Sequence, residues 1–375
     1  MNKILVLTDK FPVDGDYKGI FVKRQVEWLR INGYHVDVIS IMIKNFSEYK
    51  QGIGKFKYSK TQNGEIELIL RGASPIPRCT ICIALFSIIF TLFFILYFRI
   101  SMTKSIIVSH FFIFSGITGS VIKKLFKSNK LIIFEHRKSF PTLREEKLQK
   151  YAIKSAEMIV LPSRYFKDWF VEKNQITMEK ICVGWNILSE AFLIKDNLNY
   201  NLFAQKKNIK SIIFVGNLIP LKRVDLLIES FIHLYRMRPG NVSLKIIGDG
   251  PLIENLKKLS NGYPIDFLGT QEQKIIFKVL SESDLMCHFS ETETFGCSVA
   301  EALMVGLPVL VSDCGGPEEF INESNGKVCS EKDPELLAIT MNQMLNKNYK
   351  RNDIAKDFNE KYKQESEYLL RLINK

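Results

Sequence analysis

The sequence predicts an α/β protein made of two Rossmann-like domains, each a parallel sheet wrapped by helices, with the two sheets facing across a cleft. Three observations lead there. The chain has 375 residues, more than one hydrophobic core ordinarily serves, so two domains are expected. Its first 42 residues read as strand, helix, strand, the unit of doubly wound folds. A second series of strands and helices begins at Ser211, after a polar stretch.

In chain order, residues 3–8 form an apolar run with the look of a buried strand, too short for the apolar region of a signal peptide. Val22, Val26 and Leu29 follow at i, i+4 and i+7, one helical face, and Gly33 supplies the stop. Residues 34–42 are the second strand. The connection 9–18 lacks the G-x-G-x-x-G turn, which argues against nicotinamide or flavin chemistry. Gly19, at the helix start, reads either as a tight-turn glycine or as a point where a phosphate or sugar approaches the chain. Further strands are expected at 66–70, 105–109 and 131–134, with a helix over 116–126. His136 would then stand at the carboxyl end of a strand, where open α/β sheets gather their ligands, with site and structural roles equally open.

Residues 79–98 carry no charge over twenty positions, which meets the length of a membrane span. A span would put two strands of one sheet on opposite sides of a bilayer, so a buried crossover helix is the first expectation. In-plane docking on a membrane ranks second and spanning third. Arg78, Arg99 and Lys104 flank the run and suit acidic lipid or solvent equally, so a peripheral contact with acidic membrane is placed at 78–104.

Residues 195–208 are polar and asparagine-rich, the expected connection between domains. Strand 211–215, loop 216–223 and helix 224–234 follow, which sets Lys222 and Arg223 at a helix N-terminus where N–H groups, dipole and cation favour an anion. Strands are expected at 244–247, 265–268, 284–289 and 308–312, and Gly248-Asp249-Gly250-Pro251 and Gly315-Gly316-Pro317-Glu318 form turns. Between the last two strands, helix 297–305 is small and apolar except for Glu301. A buried carboxylate there needs donors, and vicinal ribose hydroxyls would serve; a solvated helix face is the alternative. Gly296, Cys297 and Ser298 open this helix toward a phosphate. A charged helix over 351–375 closes the chain, with Tyr368, Leu369 and Leu372 on one side. The expected domains are 1–192 and 193–350, with 351–375 packing back on the first.

A net charge of +12 favours an anionic partner. No zinc-finger spacing and no basic helix with base-stacking aromatics appear, so nucleic acid is not expected. Seven cysteines, most of them in apolar runs, suit a reducing cytosol. Cys79 and Cys82 have redox spacing, but packing is the better reading, and no metal site is expected.

Glu293 and Glu301 enclose seven residues in Glu-Thr-Phe-Gly-Cys-Ser-Val-Ala-Glu, followed by Ala302, Gly306 and Pro308. Together with Phe11-Pro12, Gly19-Ile20-Phe21-Val22, Glu135-His136, residues 156–163, Asn186, and the stretches 216–231, 248–251 and 290–326, this resembles the family 4 retaining glycosyltransferases of GT-B architecture. The resemblance implies that Glu301 binds the donor ribose, Glu293 the hydroxyls of the transferred sugar, and Lys222 the diphosphate. Gly216 and the main chain from Phe295 through Gly296 and Cys297 to Ser298 would assist. It puts Gly19 near the donor phosphates and His136 near the reacting carbon. Family members commonly carry arginine where this chain has Asn217, which leaves one cation of the leaving-group site open, with Arg223 either replacing it or not.

The resemblance implies a nucleotide sugar as co-substrate, no cofactor and no metal. The donor site together with the apolar and basic N-terminal half leads to the expectation of a saccharide or lipid-linked saccharide acceptor, in bacterial surface polysaccharide synthesis on the cytoplasmic side of the membrane. A nucleotide-sugar epimerase of similar shape and a non-catalytic, membrane-associated anion-binding protein are the alternatives.

Overall fold

The computed structural model describes residues 3–12, 19–45, 55–74, 80–127, 130–138, 141–192 and 209–374. The polar stretch 195–208, most of the turn before Gly19, and Arg78 and Cys79 lie outside the described residues. The chain divides into two compact units, Met1–Ile187 with Leu372–Lys375, and Leu188–Arg371.

The first unit runs β1 (Lys3–Thr8), α1 (Ile20–Ile31), β2 (His35–Asn45), β3 (Lys55–Lys60), β4 (Ile66–Ser74), α2 (Thr80–Tyr97), β5 (Ile106–His110), α3 (Ile117–Phe126), β6 (Lys130–Phe134), α4 (Leu143–Ser155), β7 (Met158–Leu161), α5 (Arg164–Asn174) and β8 (Ile181–Val183). The strands form one sheet in the order β3-β4-β2-β1-β5-β6-β7-β8. β1 lies at its centre because Ile4 to Leu7 are apolar on both faces and buried on both. Val22, Val26 and Leu29 turn inward from α1, as their spacing predicts.

Every described pairing in this sheet is parallel except β3 with β4. That hairpin was not anticipated, although Asn63-Gly64 between Lys-Phe-Lys-Tyr-Ser-Lys and an apolar run is a strong hairpin signal. Gly64 takes φ 84° at the turn.

α2 is the expected crossover between β4 and β5, but it is not the buried helix expected of a soluble core. Only 28% of it is buried. α3 is preceded by a turn of π-helix at Phe112–Gly116.

The second unit runs β9 (Lys210–Val215), α6 (Val224–Met237), β10 (Val242–Ile247), α7 (Ile253–Leu259), β11 (Ile265–Gly269), α8 (Gln273–Glu282), β12 (Leu285–His288), α9 (Cys297–Met304), β13 (Val309–Ser312), β14 (Gly326–Cys329), α10 (Pro334–Asn346) and α11 (Arg351–Asn374). Its sheet is parallel in the order β11-β10-β9-β12-β13-β14. Ile212, Phe214, Leu227, Phe231, Leu244, Cys287 and Leu310 share its core with Leu337 and Met341 of α10.

Arg351 is buried at the start of α11 and donates from Nε to the Gly306 carbonyl (3.2 Å) and from a guanidinium nitrogen to that of Ser283 (3.0 Å). At the other end of α11 the carbonyls of Leu372 and Ile373 accept from Lys130, both at 3.1 Å.

In both sheets the strand order reverses beside the first strand: between β1 and β5, and between β9 and β12. At such a point the loops leaving the two carboxyl ends diverge and open a crevice. The expected site residues belong to those loops, to the first two turns of α9 or to the next strand end.

Candidate functional site

In the second unit the loop leaving β9 is braced by the loop leaving β10. The Gly216 N–H donates to the Ile247 carbonyl (3.0 Å) and the Leu218 N–H to that of Asp249 (2.9 Å). Pro220–Lys222 then forms one 3-10 turn, and Arg223 enters α6 with φ 46°. The loop leaving β12 is tied to this one through the Glu291 N–H on the Leu221 carbonyl (2.9 Å). Glu293 is held by its own main chain, its N–H on the Cys314 carbonyl (2.7 Å) and its carbonyl accepting from the Gly316 N–H (2.9 Å).

These ties bring four side chains together. Glu293 Oε1 takes the Lys222 ammonium, His288 Nε2 at 2.7 Å and the Ser290 hydroxyl at 3.2 Å. Burial alone raises the Glu293 carboxyl, but the His288 hydrogen bond and the Lys222 charge outweigh it and bring the group down to about 2. Glu293 is therefore ionised at neutral pH and can only accept hydrogen bonds, so the proton between it and His288 sits on Nε2. His288 itself is packed flat on Phe214, ring centroids 5.6 Å apart.

Three residues beyond Glu293, Gly296 caps α9 with φ 84° and no side-chain hydrogen bond to the first turn. Cys297 and Ser298 form that turn and are partly exposed. Glu301 is buried in the second turn, which excludes the solvated helix face left open by the sequence. Phe295 packs edge-on against Phe320 (5.6 Å) in the core, so its main chain is what it can offer a ligand. Asn217 is exposed. Arg223 is engaged with Asp225 at 3.2 Å, which lowers its value as a replacement cation.

In the first unit Gly19 is the N-cap of α1 with φ 83°, and a Cβ there would lie 2.3 Å from the Lys10 carbonyl oxygen. A close approach of main chain to main chain is what demands glycine.

His136 Nδ1 lies 3.1 Å from Asn186 Oδ1, and Nε2 lies 2.9 Å from His110 Nδ1. An amide oxygen only accepts, so Nδ1 carries the proton and Nε2 accepts from His110. Burial brings His136 down to about 3 against the opposing pull of the Asn186 bond, and the charges of Arg137 and Lys10 add to the fall. The ring is neutral and flanked by Phe21 (4.4 Å) and Phe111 (5.5 Å).

The buried Glu135 accepts from the N–H groups of Phe112, His136 and Arg137 at 3.0–3.1 Å, and shapes this corner. Lys10 and Arg137 both lie over the Phe111 ring, at 5.1 and 4.6 Å.

Sequence reasoning missed His288, His110, Lys10 and Arg137. His288 ends a strand two residues before Ser290, and its neighbours alone could not tell an inward from an outward ring. Arg137 is the next residue in sequence after His136.

Two doubly wound units with polar clusters at both switch points define a protein of GT-B type. Solved glycosyltransferases of that type share the fold. Sucrose-phosphate synthase from Thermosynechococcus elongatus aligns with a TM-score of 0.74 at 15% identity, over 100% of this chain and 98% of that one. HepE of Anabaena, solved with UDP and glucose, aligns at 0.70 and 17%, over 100% of both.

Residues 199–361 match the family model described as glycosyl transferases group 1. Among curated relatives, two uncharacterised glycosyltransferases of Methanocaldococcus jannaschii are 25% and 26% identical. The first match covers 57% of both chains, and the second covers 70% of this chain and 74% of the relative. A GDP-mannose-dependent alpha-mannosyltransferase of Mycobacterium tuberculosis is 37% identical over 29% of this chain and 26% of its own.

Proposed function

We propose that the protein is a retaining, metal-independent glycosyltransferase. It would move a sugar from a nucleotide-sugar donor to a saccharide or lipid-linked saccharide acceptor in the synthesis of a bacterial surface polysaccharide. The observation that carries this reading is the ionised Glu293 held by Lys222, His288 and Ser290 three residues before the glycine-capped start of α9.

In the transfer, the bond from the anomeric carbon to the donor diphosphate breaks and its electron pair leaves with the diphosphate. The acceptor hydroxyl forms the new bond on the same face and gives up its proton to the departing oxygen. The greatest need is to stabilise charge growing on the leaving group. Lys222 and the N–H groups at the start of α9 are assigned that task, with Gly216 and Asn217 lining the loop beside it, and Arg223 contributing in so far as Asp225 releases it.

A glycosidase acid would need a carboxyl raised toward neutrality. Glu293 is shifted the other way, which suits a group that accepts hydrogen bonds from sugar hydroxyls. Glu301 is assigned the ribose. His136, neutral, and Gly19 belong to the acceptor-side unit, where His136 would serve as a polar wall and not as a proton donor.

Lys222→Ala and Glu301→Ala should each lower turnover about a hundredfold or more, with EDTA leaving the wild-type rate unchanged. A mass-spectrometric screen of nucleotide sugars supplies the donor for that assay. Full activity in both variants would sink the assignment, and altered free sugar formed without acceptor would point instead to an epimerase.

A further inference from the structure

α2 is built inside out. The side it turns to the first unit's sheet includes Ala84, Ser87 and Thr91, small or hydroxylated residues that are nearly fully buried, with Phe94 and Ile95 completing the seam. Its outward side carries Leu85, Ile89, Phe93, Leu96 and Tyr97, which are 51–69% exposed. A helix that served only the core would have the opposite arrangement.

The exposed surface continues beyond the helix. Phe56 of β3 stacks on Phe94 (5.6 Å), Tyr58 stacks on Phe98 (5.0 Å), and both remain about half exposed. α3 packs beside α2 and shows Leu125. An apolar surface this continuous marks a contact with something apolar.

The exposed charges carried by these elements themselves are basic. Lys57, Lys60, Arg99, Lys104, Lys124 and Lys127 are exposed on the same three elements or at their ends, and residues 55–60, 80–104 and 117–130 contain no aspartate or glutamate. Acidic groups reach these elements from their neighbours: Glu145 is bonded to Thr80 at the N-terminal end of α2 (3.0 Å), and Glu157 pairs with Lys123 of α3.

We propose that this face docks in the plane of an anionic phospholipid bilayer, with the outward side of α2 in the acyl boundary and the lysines and arginine among the head groups. Spanning is excluded by topology, because α2 returns the chain between β4 and β5 of one sheet. A second copy of the chain fits less well, since a self-paired face would set the basic rim against itself.

The test is co-sedimentation of the full chain with phosphatidylcholine vesicles, with and without phosphatidylglycerol. No donor is added, so the outcome is independent of the transferase reading. Wild type should partition to the anionic vesicles about tenfold or more above the neutral ones, weaken in high salt, and be released by carbonate.

Ile89→Ser with Phe93→Ser and Leu96→Ser should lose about tenfold or more of that binding while keeping the wild-type melting temperature. If that variant does not fold, Lys124→Glu with Lys127→Glu replaces it and should lose anionic binding alone. The proposal is overturned if wild type binds neither vesicle, if the folded variant binds as wild type does, or if carbonate fails to release the protein. It is also overturned if light scattering shows a dimer held by this face without lipid binding.

Discussion

At the residue scale the pair Glu293 and His288 sets the chemistry of the second unit's cluster. Glu293 has a folded value of about 2 against an ordinary 4.5. Its contribution to stability is therefore complete above pH 4.5 and is lost as pH falls from there through 2. The His288 hydrogen bond is the largest influence holding the carboxyl down, so His288→Phe should raise it. The expected outcome is a fall of about tenfold or more in kcat/KM at neutral pH, from the roughly 1.5–3 kcal/mol of a lost bond to a charged group. The acid limb of the rate profile should move up in pH. A variant whose rate falls with an unmoved acid limb would leave His288 a packing residue. His136 titrates in the same sense: neutral when folded, it loses stability as pH drops from 6.5 toward 3 and contributes no inflection to activity near 6.5.

At the element scale the positions of Lys222 and Glu293 depend on loops that touch main chain to main chain. Gly248 shows this most clearly. It has φ 137°, and a Cβ on it would sit 1.8 Å from the Gly216 carbonyl oxygen, on the loop that carries Asn217 and Lys222. Gly248→Ala should cost about 3 kcal/mol or more, from the strained dihedral and the overlap together. Gly262→Ala has φ 83° but open space around it, and should cost about 1 kcal/mol. Urea unfolding of both variants measures the difference; equal losses would mean that the two loops move apart at no cost. The short α9 is legible at this scale too, because Gly296 before Cys-Ser-Val-Ala-Glu announces its start. The burial of Glu301 was the first reading of a lone carboxylate in an apolar run and is borne out, although eight residues of helix carry too little periodicity to exclude the outer side.

At the scale of the molecule the chain's last residues belong with its first. Leu372 and Ile373 are buried with the unit that begins at β1, where Lys130 bonds their carbonyls. Removing 372–375 should destabilise that unit by about 3–5 kcal/mol, the burial of two aliphatic side chains, seen as a lower melting temperature; an unchanged melt would show the contact to be dispensable. Local pattern sufficed for the two α/β units, because β1, α1, β9 and α6 each bury residues at the period of their own structure, and that period is written in neighbouring positions. It also drew notice to Lys222 at a helix start and to Glu301 as the lone carboxylate of an apolar helix, whereas the role expected of Glu293 came from the resemblance of its motif. Three things needed the tertiary structure. The hydrogen bonds among Lys222, Glu293 and His288 join residues up to 71 positions apart, the neutral state of His136 follows from its burial, against the pull of the Asn186 bond, and the outward side of α2 is defined by the sheet it packs on. Each is a property of what lies across space from a residue, and a sequence records only what lies beside it along the chain.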